Sequence, residues 1–599
     1  MIGKWILNNF KAINRETELE FRPLTIFTGA NSSGKSTILQ SILLVTQTLQ
    51  NQVSSNSIVL NGWFKKFGTY DDIVHRRDNN RKIKVGFSLN KLQETEDFYI
   101  LRRYRDVAAT SQIDCDFEVS SNTEECLHPD LESMNMISYS QKEKIGWLHV
   151  KKSAHRSEQE QLIIGENKNK LQPSELKYTI DFEYKQRPNY LDKRLPWHYL
   201  GAGMFHFLPK YLIAYCNETD QIRAYLSEYL FGNGECYLRA EDQKPIISLI
   251  KSQGFAVAKD IQTKKKFRDE DTFQKNYDKL MNSNFTLNRL RSVLRVSTMD
   301  AEDIQEYLNM LLHPLELLPV KYIVERKPLF YQPGLEYLRT FFCDKIQYLG
   351  PLREEPKSLY PLESSGDIAG LGLKGENTAA VYENNKEKII SYVNPKDYET
   401  PSLNSNNPNL VEGTLSEAIN KWLIYLGVAM DMNTNDKGKF GHELKITTEE
   451  KGIKQDLTHV GVGVSQILPI LVLCFLAEKG NTIILEQPEL HLHPRVQTRL
   501  ADFFVSMNAL GKQCIVETHS EYLINRLRLL VAKSKEPKIA NDTMIYFVEK
   551  DKNDGSSMYR KITINPYGKI DYWPDGFFDE GEELASQIVE AAFEKKRRN

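Results

Sequence analysis

The sequence lacks any long apolar run. Its longest, Ile467 to Ala477, is too short to cross a bilayer and reads as a buried helix. No leader-like segment opens the chain, because Trp5-Ile6-Leu7 is followed at once by Asn8, Asn9 and Lys11. Cysteine is sparse: the seven residues are scattered without a Cys-x-x-Cys pair, so neither a zinc ribbon nor a disulfide framework is indicated. Net charge is nearly absent too, at -2, which gives no overall pull toward nucleic acid or membrane. Heptads are not sustained, which argues against a long coiled-coil arm. These absences point to a reduced, cytoplasmic protein with no membrane partner. Its 599 residues are enough for two or three folding units.

What is present begins at Gly29-Ala30-Asn31-Ser32-Ser33-Gly34-Lys35-Ser36-Thr37, which fits G-x-x-x-x-G-K-[ST]. Leu24 to Thr28 before it reads as a buried strand. Ile38, Leu39, Ile42 and Leu43 after it recur at helical spacing, so the loop joins a strand to a helix N-terminus. Such a loop turns its N–H groups around a polyphosphate, and the helix start adds unpaired donors. Lys35 is then the group that reaches the terminal phosphates, and the Ser36 hydroxyl a ligand for Mg²⁺.

A nucleotide site also needs an acid, and Thr482-Ile483-Ile484-Leu485-Glu486 is an apolar strand that delivers one. Upstream, Gly461-Val462-Gly463-Val464-Ser465-Gln466 opens a helix and describes a second anion-binding helix start. One nucleotide cannot occupy both, so the economical arrangement is two chains head to tail, each lending this helix to the other's terminal phosphate. Downstream, Cys514 to Glu517 is another core strand, followed by Thr518-His519-Ser520, which puts His519 at a strand's carboxyl end. Ile346 to Leu349 reads as a strand whose Gly350-Pro351 turn presents Arg353. His491 and His493 have no evident third partner for a metal.

This ordered set resembles the ABC-type ATPases of the SMC/RecF/OLD kind. Glu486-Gln487-Pro488-Glu489 with Leu490-His491-Leu492-His493-Pro494 resembles the acidic motif of that group's AAA-labelled branch. Tyr348 to Arg353, Gly461 to Gln466 and Ile570 to Asp579 resemble a bacterial subfamily with a short uncharacterised C-terminal domain. The resemblance implies ATP and Mg²⁺ as ligands. It casts Glu486 as the metal-binding acid, Ser465 as the signature serine and His519 as the switch histidine. It also implies a head-to-tail dimer that governs a separately encoded effector such as a nuclease, as in Septu-like anti-phage defence. The alternatives are a RecF-like ATPase acting on DNA and a scaffold that binds ATP without turnover. One departure stands out: ABC-type enzymes usually carry Glu after the metal-binding acid, and this chain has Gln487. An amide orients water but takes no proton, so slow turnover is expected unless Glu489 substitutes. This chain is not expected to be a Toprim nuclease itself, since no Asp-x-Asp follows Glu549.

The expected fold is α/β: a P-loop ABC-type ATPase head of mixed sheet flanked by helices, with an antiparallel β patch. The expected units are an N-terminal lobe (1–90), a mainly helical insertion (91–344), a C-terminal lobe (345–540) and a short C-terminal domain (541–599). The resemblance covers roughly 1–90 and 345–599, with the insertion outside it. Within the insertion, Arg102-Arg103-Arg105, Lys264 to Arg268 and Arg289-Arg291-Arg295 are basic clusters that read as solvated faces.

Overall fold

The computed structural model describes residues 1–53, 56–77, 82–90, 111–121, 123, 125–184, 197–217, 322–327, 332–360, 368–399, 409–449, 452–570 and 580–598. Short runs from distant parts of the sequence meet in one six-stranded sheet. Its order is Ile346–Leu349, Thr482–Glu486, Gln513–Glu517, Leu24–Gly29, Thr543–Lys550 and Ser557–Ile562. The first five strands are parallel and the last is antiparallel. Every residue of Thr482–Glu486 and Gln513–Glu517 is buried, as a parallel sheet covered on both faces requires.

Alternation sends successive side chains into two cores. Ile26, Ile483, Leu485, Cys514 and Val516 join the helices Leu415–Leu426, Gly463–Leu476, Pro494–Ala509 and Glu521–Lys533. Phe27, Ile484 and Ile515 face the other way, onto the helix Lys35–Gln50. Beyond that helix lies a seven-stranded antiparallel sheet, ordered Thr17–Glu20, Ile2–Asn8, Lys82–Asn90, Gln112–Ser120, Asp130–Ser140, Glu143–Lys152 and Tyr178–Tyr184. Lys35–Gln50 is therefore caught between two sheets, and Ser41, Thr46, Gln47 and Thr48 are buried with their hydrogen bonds made. Trp5 Nε1 donates to Ser41 Oγ at 2.8 Å, Gln47 Nε2 to the Val59 carbonyl at 2.7 Å, and Thr46 and Thr48 to carbonyls one turn back.

The antiparallel patch thus extends well past residue 90, and the mainly helical reading of 91–344 is corrected for the described residues. Most of them lie in strands, including His198–Phe205, Leu208–Asn217 and Tyr322–Lys327, with helix at Glu158–Glu166 and Gln332–Thr340. The reason is period two: in Gln112–Ser120, Ile113, Cys115, Phe117 and Val119 point inward while Asp114, Asp116 and Glu118 point out. The three basic clusters lie outside the described residues. Residues 541–599, set apart above as a C-terminal domain, supply two strands of the parallel-sheet layer, Thr543–Lys550 and Ser557–Ile562. The terminal helix Glu580–Arg598 leaves Leu584, Ile588 and Phe593 exposed.

Candidate functional site

Parallel strands whose carboxyl ends align make a crevice along one edge of the sheet. Here Glu486 is in register with Glu517, and Glu517 with Phe27, two residues before the loop that starts at Gly29. The loop's path is set by positive φ at Gly29 (136°), Ser32 (58°) and Gly34 (103°). A Cβ at Gly29 would sit 2.2 Å from the Val548 carbonyl, and one at Gly34 1.9 Å from Ser557 Oγ. Only glycine fits either place. The strand Ser557–Ile562 grips the loop from below: Ser557 Oγ donates to the Ser33 carbonyl at 2.5 Å and the Tyr559 hydroxyl to the Gly34 carbonyl at 2.8 Å. Ala30, Asn31 and Ser32 at the crown are exposed, and Thr37 is buried in the first helical turn. Lys35, buried, donates to the carbonyls of Gly29 at 3.1 Å and Ala30 at 2.7 Å, and burial lowers its pKa.

Three carboxylates line the adjoining strand ends. Glu517 accepts the Ser36 hydroxyl at 2.9 Å, so the serine expected to face Glu486 faces its neighbour. Burial, reinforced by the charge of Glu486, pushes Glu517 up to about 7. Glu486 accepts from the Tyr348 hydroxyl at 3.1 Å, and Glu489 from the His519 N–H at 2.6 Å; burial raises both acids. Glu517 is the functional residue that the sequence reading passed over. Its signal is a repeated pattern, since an apolar run ending in Glu occurs at both 483–486 and 514–517.

Around them, Gln487 takes a positive φ of 46° and its N–H donates to the Glu517 carbonyl at 2.7 Å, which pins the turn after the acidic strand. His519 lies beside Lys35 and Gly29; burial, and then the lysine charge, holds it below the usual histidine range. Arg353, buried, donates from Nη2 to the Glu486 carbonyl at 3.3 Å. His493 caps the helix Pro494–Ala509 by accepting from the Arg495 N–H. Lys35, Ser36, Glu486, Gln487, Glu489 and His519 are thus gathered at one edge.

Ser465 is not with them. Its hydroxyl donates to the Val462 carbonyl at 2.7 Å, and it shares a small cavity with Glu354, Thr378 and Pro469, none of which belongs to the loop 29–37. Gly461 has open space where a Cβ would project, and Gly463 meets only Leu492, at 3.8 Å.

A model of the AAA ATPase domain family matches residues 1–323 and 373–524, more than half of the chain. The chain belongs to the AAA ATPase domain family. The match runs through much of 91–344, so that segment is part of this AAA ATPase's family pattern and not an addition to it. Residues 540–587 match a second family, described as a protein of unknown function, DUF3696, in agreement with the resemblance read at Ile570 to Asp579. Residues 571–579 of that stretch lie outside the described residues. Among curated proteins, the Old nuclease of Escherichia phage P2 is 26% identical over 132 residues. That alignment takes in 20% of this chain, and the chain spans about a fifth (22%) of that relative's length. Among solved structures, the SMC head domain from Thermotoga maritima aligns at 10% identity over 94% of this chain and 99% of that one, with a TM-score of 0.32. The Smc head domain of Pyrococcus furiosus, bound to the C-terminal domain of ScpA, gives 11%, 99%, 99% and 0.32. Likenesses of that size add nothing to the fold described above. No helix among the described residues is long and apolar enough to cross a membrane.

Proposed function

We propose that the chain binds Mg·ATP at the carboxyl edge of the parallel sheet and hydrolyses it slowly. One observation carries this reading. Thr28 Oγ1, Ser33 Oγ, Glu489 Oε2 and Glu517 Oε2 are buried without a hydrogen-bond partner, and all lie on the loop or the strand ends beside it. Unpaired buried polar atoms are costly, and a cluster of them at one edge suits a charged ligand that comes and goes. Mg²⁺ fits the donors. It prefers a hydroxyl, one or two carboxylates, phosphate oxygens and water over an all-protein cage. Among the described residues no group of three or more His, Cys, Asp or Glu is placed to hold a metal. Ser36 with Glu517 and Glu486 would hold the ion, which supplies charge neutralisation at the terminal phosphates. Lys35 exchanges its two carbonyl partners for phosphate oxygens. His519, kept neutral, offers a hydrogen bond rather than a charge. Gln487 orients water, and Glu489, raised by burial and with one oxygen free, is the better proton acceptor.

Ser465 bonds Val462 and lines a cavity without any residue of its own loop, which supports a head-to-tail dimer in which the helix Gly463–Leu476 completes the partner's site. In the wider reading the ATP-bound dimer governs a separately encoded effector, such as a nuclease, in anti-phage defence. The named role of the Old relative is consistent with a nuclease connection. The test is ATP hydrolysis and sedimentation with and without ATP, on wild type, Lys35→Ala and Ser465→Arg. ATP-dependent dimerisation lost in both variants supports the reading, and a wild type that neither binds nor cleaves ATP overturns it. Hydrolysis stimulated by DNA ends would favour the RecF-like alternative. Binding without turnover would leave ATP as a scaffold.

A further inference from the structure

We infer that Arg353 is the group that tells ATP from ADP within a single chain, by donating an unpaired N–H to the terminal phosphate; this rests on the Mg·ATP reading above. Arg353 is 8% exposed, yet neither its Nε nor its Nη1 has a hydrogen-bond partner. Its one hydrogen bond is the long contact from Nη2 to the Glu486 carbonyl, at 3.3 Å. Glu486 and Glu489 lie near enough for their charge to act on it, but neither carboxylate takes one of its N–H groups.

A buried guanidinium that served only as a strut would be expected to have paired its donors, because each one left unpaired costs free energy. Nε and Nη1 leave the guanidinium on different sides, and each is a charge-assisted donor for a phosphate oxygen. Its position suits that ligand. The Glu486 carbonyl anchors the guanidinium on one strand, and the next strand holds Glu517 and through it Ser36. Two strand spacings, roughly 10 Å, therefore separate Arg353 from the loop helix, a gap that the end of a triphosphate and its cation would span. A diphosphate stops short of it.

The experiment measures ATP and ADP affinities of the full chain by titration calorimetry, with thermal unfolding of the nucleotide-free protein, for wild type, Arg353→Met and Arg353→Lys. Arg353→Met should lower the ATP-over-ADP preference by roughly tenfold or more, by removing charge-assisted hydrogen bonds. It should leave ADP affinity unchanged and the nucleotide-free melting temperature equal or higher, since a buried, poorly paired cation has gone. Arg353→Lys, which keeps charge but not the planar set of donors, should fall between, and it serves as the test if the methionine variant does not fold. An unchanged ATP-to-ADP ratio in a folded variant overturns the inference, as does equal weakening of both nucleotides with a lowered melting temperature, the signature of a strut. Wild type that binds neither nucleotide sinks the Mg·ATP reading first, and this inference with it.

Discussion

The Ser36 hydroxyl points at Glu517, 2.9 Å away, and not at Glu486. The two acids are neighbours in register on parallel strands, so moving the serine's partner by one strand moves the centre of negative charge closer to the phosphate loop. Burial, reinforced by the charges of Glu486 and Glu489, pushes Glu517 up to about 7.

Stability should report this directly. Glu517 is raised from 4.5 to about 7, so between those values the folded chain holds a proton that the unfolded chain has released. Its contribution to stability is retained at pH 4.5, falls as pH rises toward 7, and stays low above. Glu517→Gln removes this slope. Its melting temperature should match wild type near pH 5 and exceed it at pH 8, by a free energy on the order of 3 kcal/mol at most. Thermal scans at the two pH values check it. Equal shifts at both would mean that Glu517 does not titrate as described.

Cation binding should carry the opposite pH dependence. If the Glu517 carboxylate joins Ser36 in holding Mg²⁺, it must first lose its proton, so Mg·ATP affinity should rise from pH 6 to pH 8. In Glu517→Gln that rise should flatten. Calorimetry in buffers of different ionisation enthalpy would show a proton released by wild type and none by the variant.

The loop's two glycines should tolerate no side chain. Gly34→Ala meets Ser557 Oγ at 1.9 Å and also keeps an unfavourable φ of 103°. It should abolish ATP binding, and pairing it with Ser557→Gly should not restore binding, because the backbone strain remains. Tyr559→Phe, which loses only the bond to the Gly34 carbonyl, should cost about 1 kcal/mol of stability.

A control far from the loop lies in the helical core. Asp502 is fully buried and accepts from Arg526 Nε at 2.8 Å and from the Tyr425 hydroxyl at 2.6 Å. Asp502→Ala leaves that arginine buried without its acid and should destabilise by about 3–5 kcal/mol. Chemical denaturation measures the loss. ATP affinity of the remaining folded protein should be unchanged.

Much of the site was legible because its parts are short and local. A phosphate loop carries its own strand, glycines and helix within a few residues, and Glu486 and His519 each sit at the end of an apolar run. Glu517 was missed because its importance is lateral: register with Glu486 is a property of strand pairing, which no single run displays. The β-rich part of 91–344 was missed for a different reason. The alternation of Ile113, Cys115, Phe117 and Val119 is clear, but the acidic residues between them lower the mean hydropathy, and a search for apolar stretches passes over it. The contacts of Ser465 are likewise invisible in sequence spacing, since they depend on which faces of the helical layer meet.

The hydrogen bonds from Ser557 and Tyr559 to the carbonyls of the phosphate loop have a practical result for anyone shortening this protein. Cutting after residue 540 would not detach an appendage. It would strip away the last two strands of the sheet and leave the phosphate cradle without its floor, so a shortened chain that stayed folded should still fail to retain nucleotide.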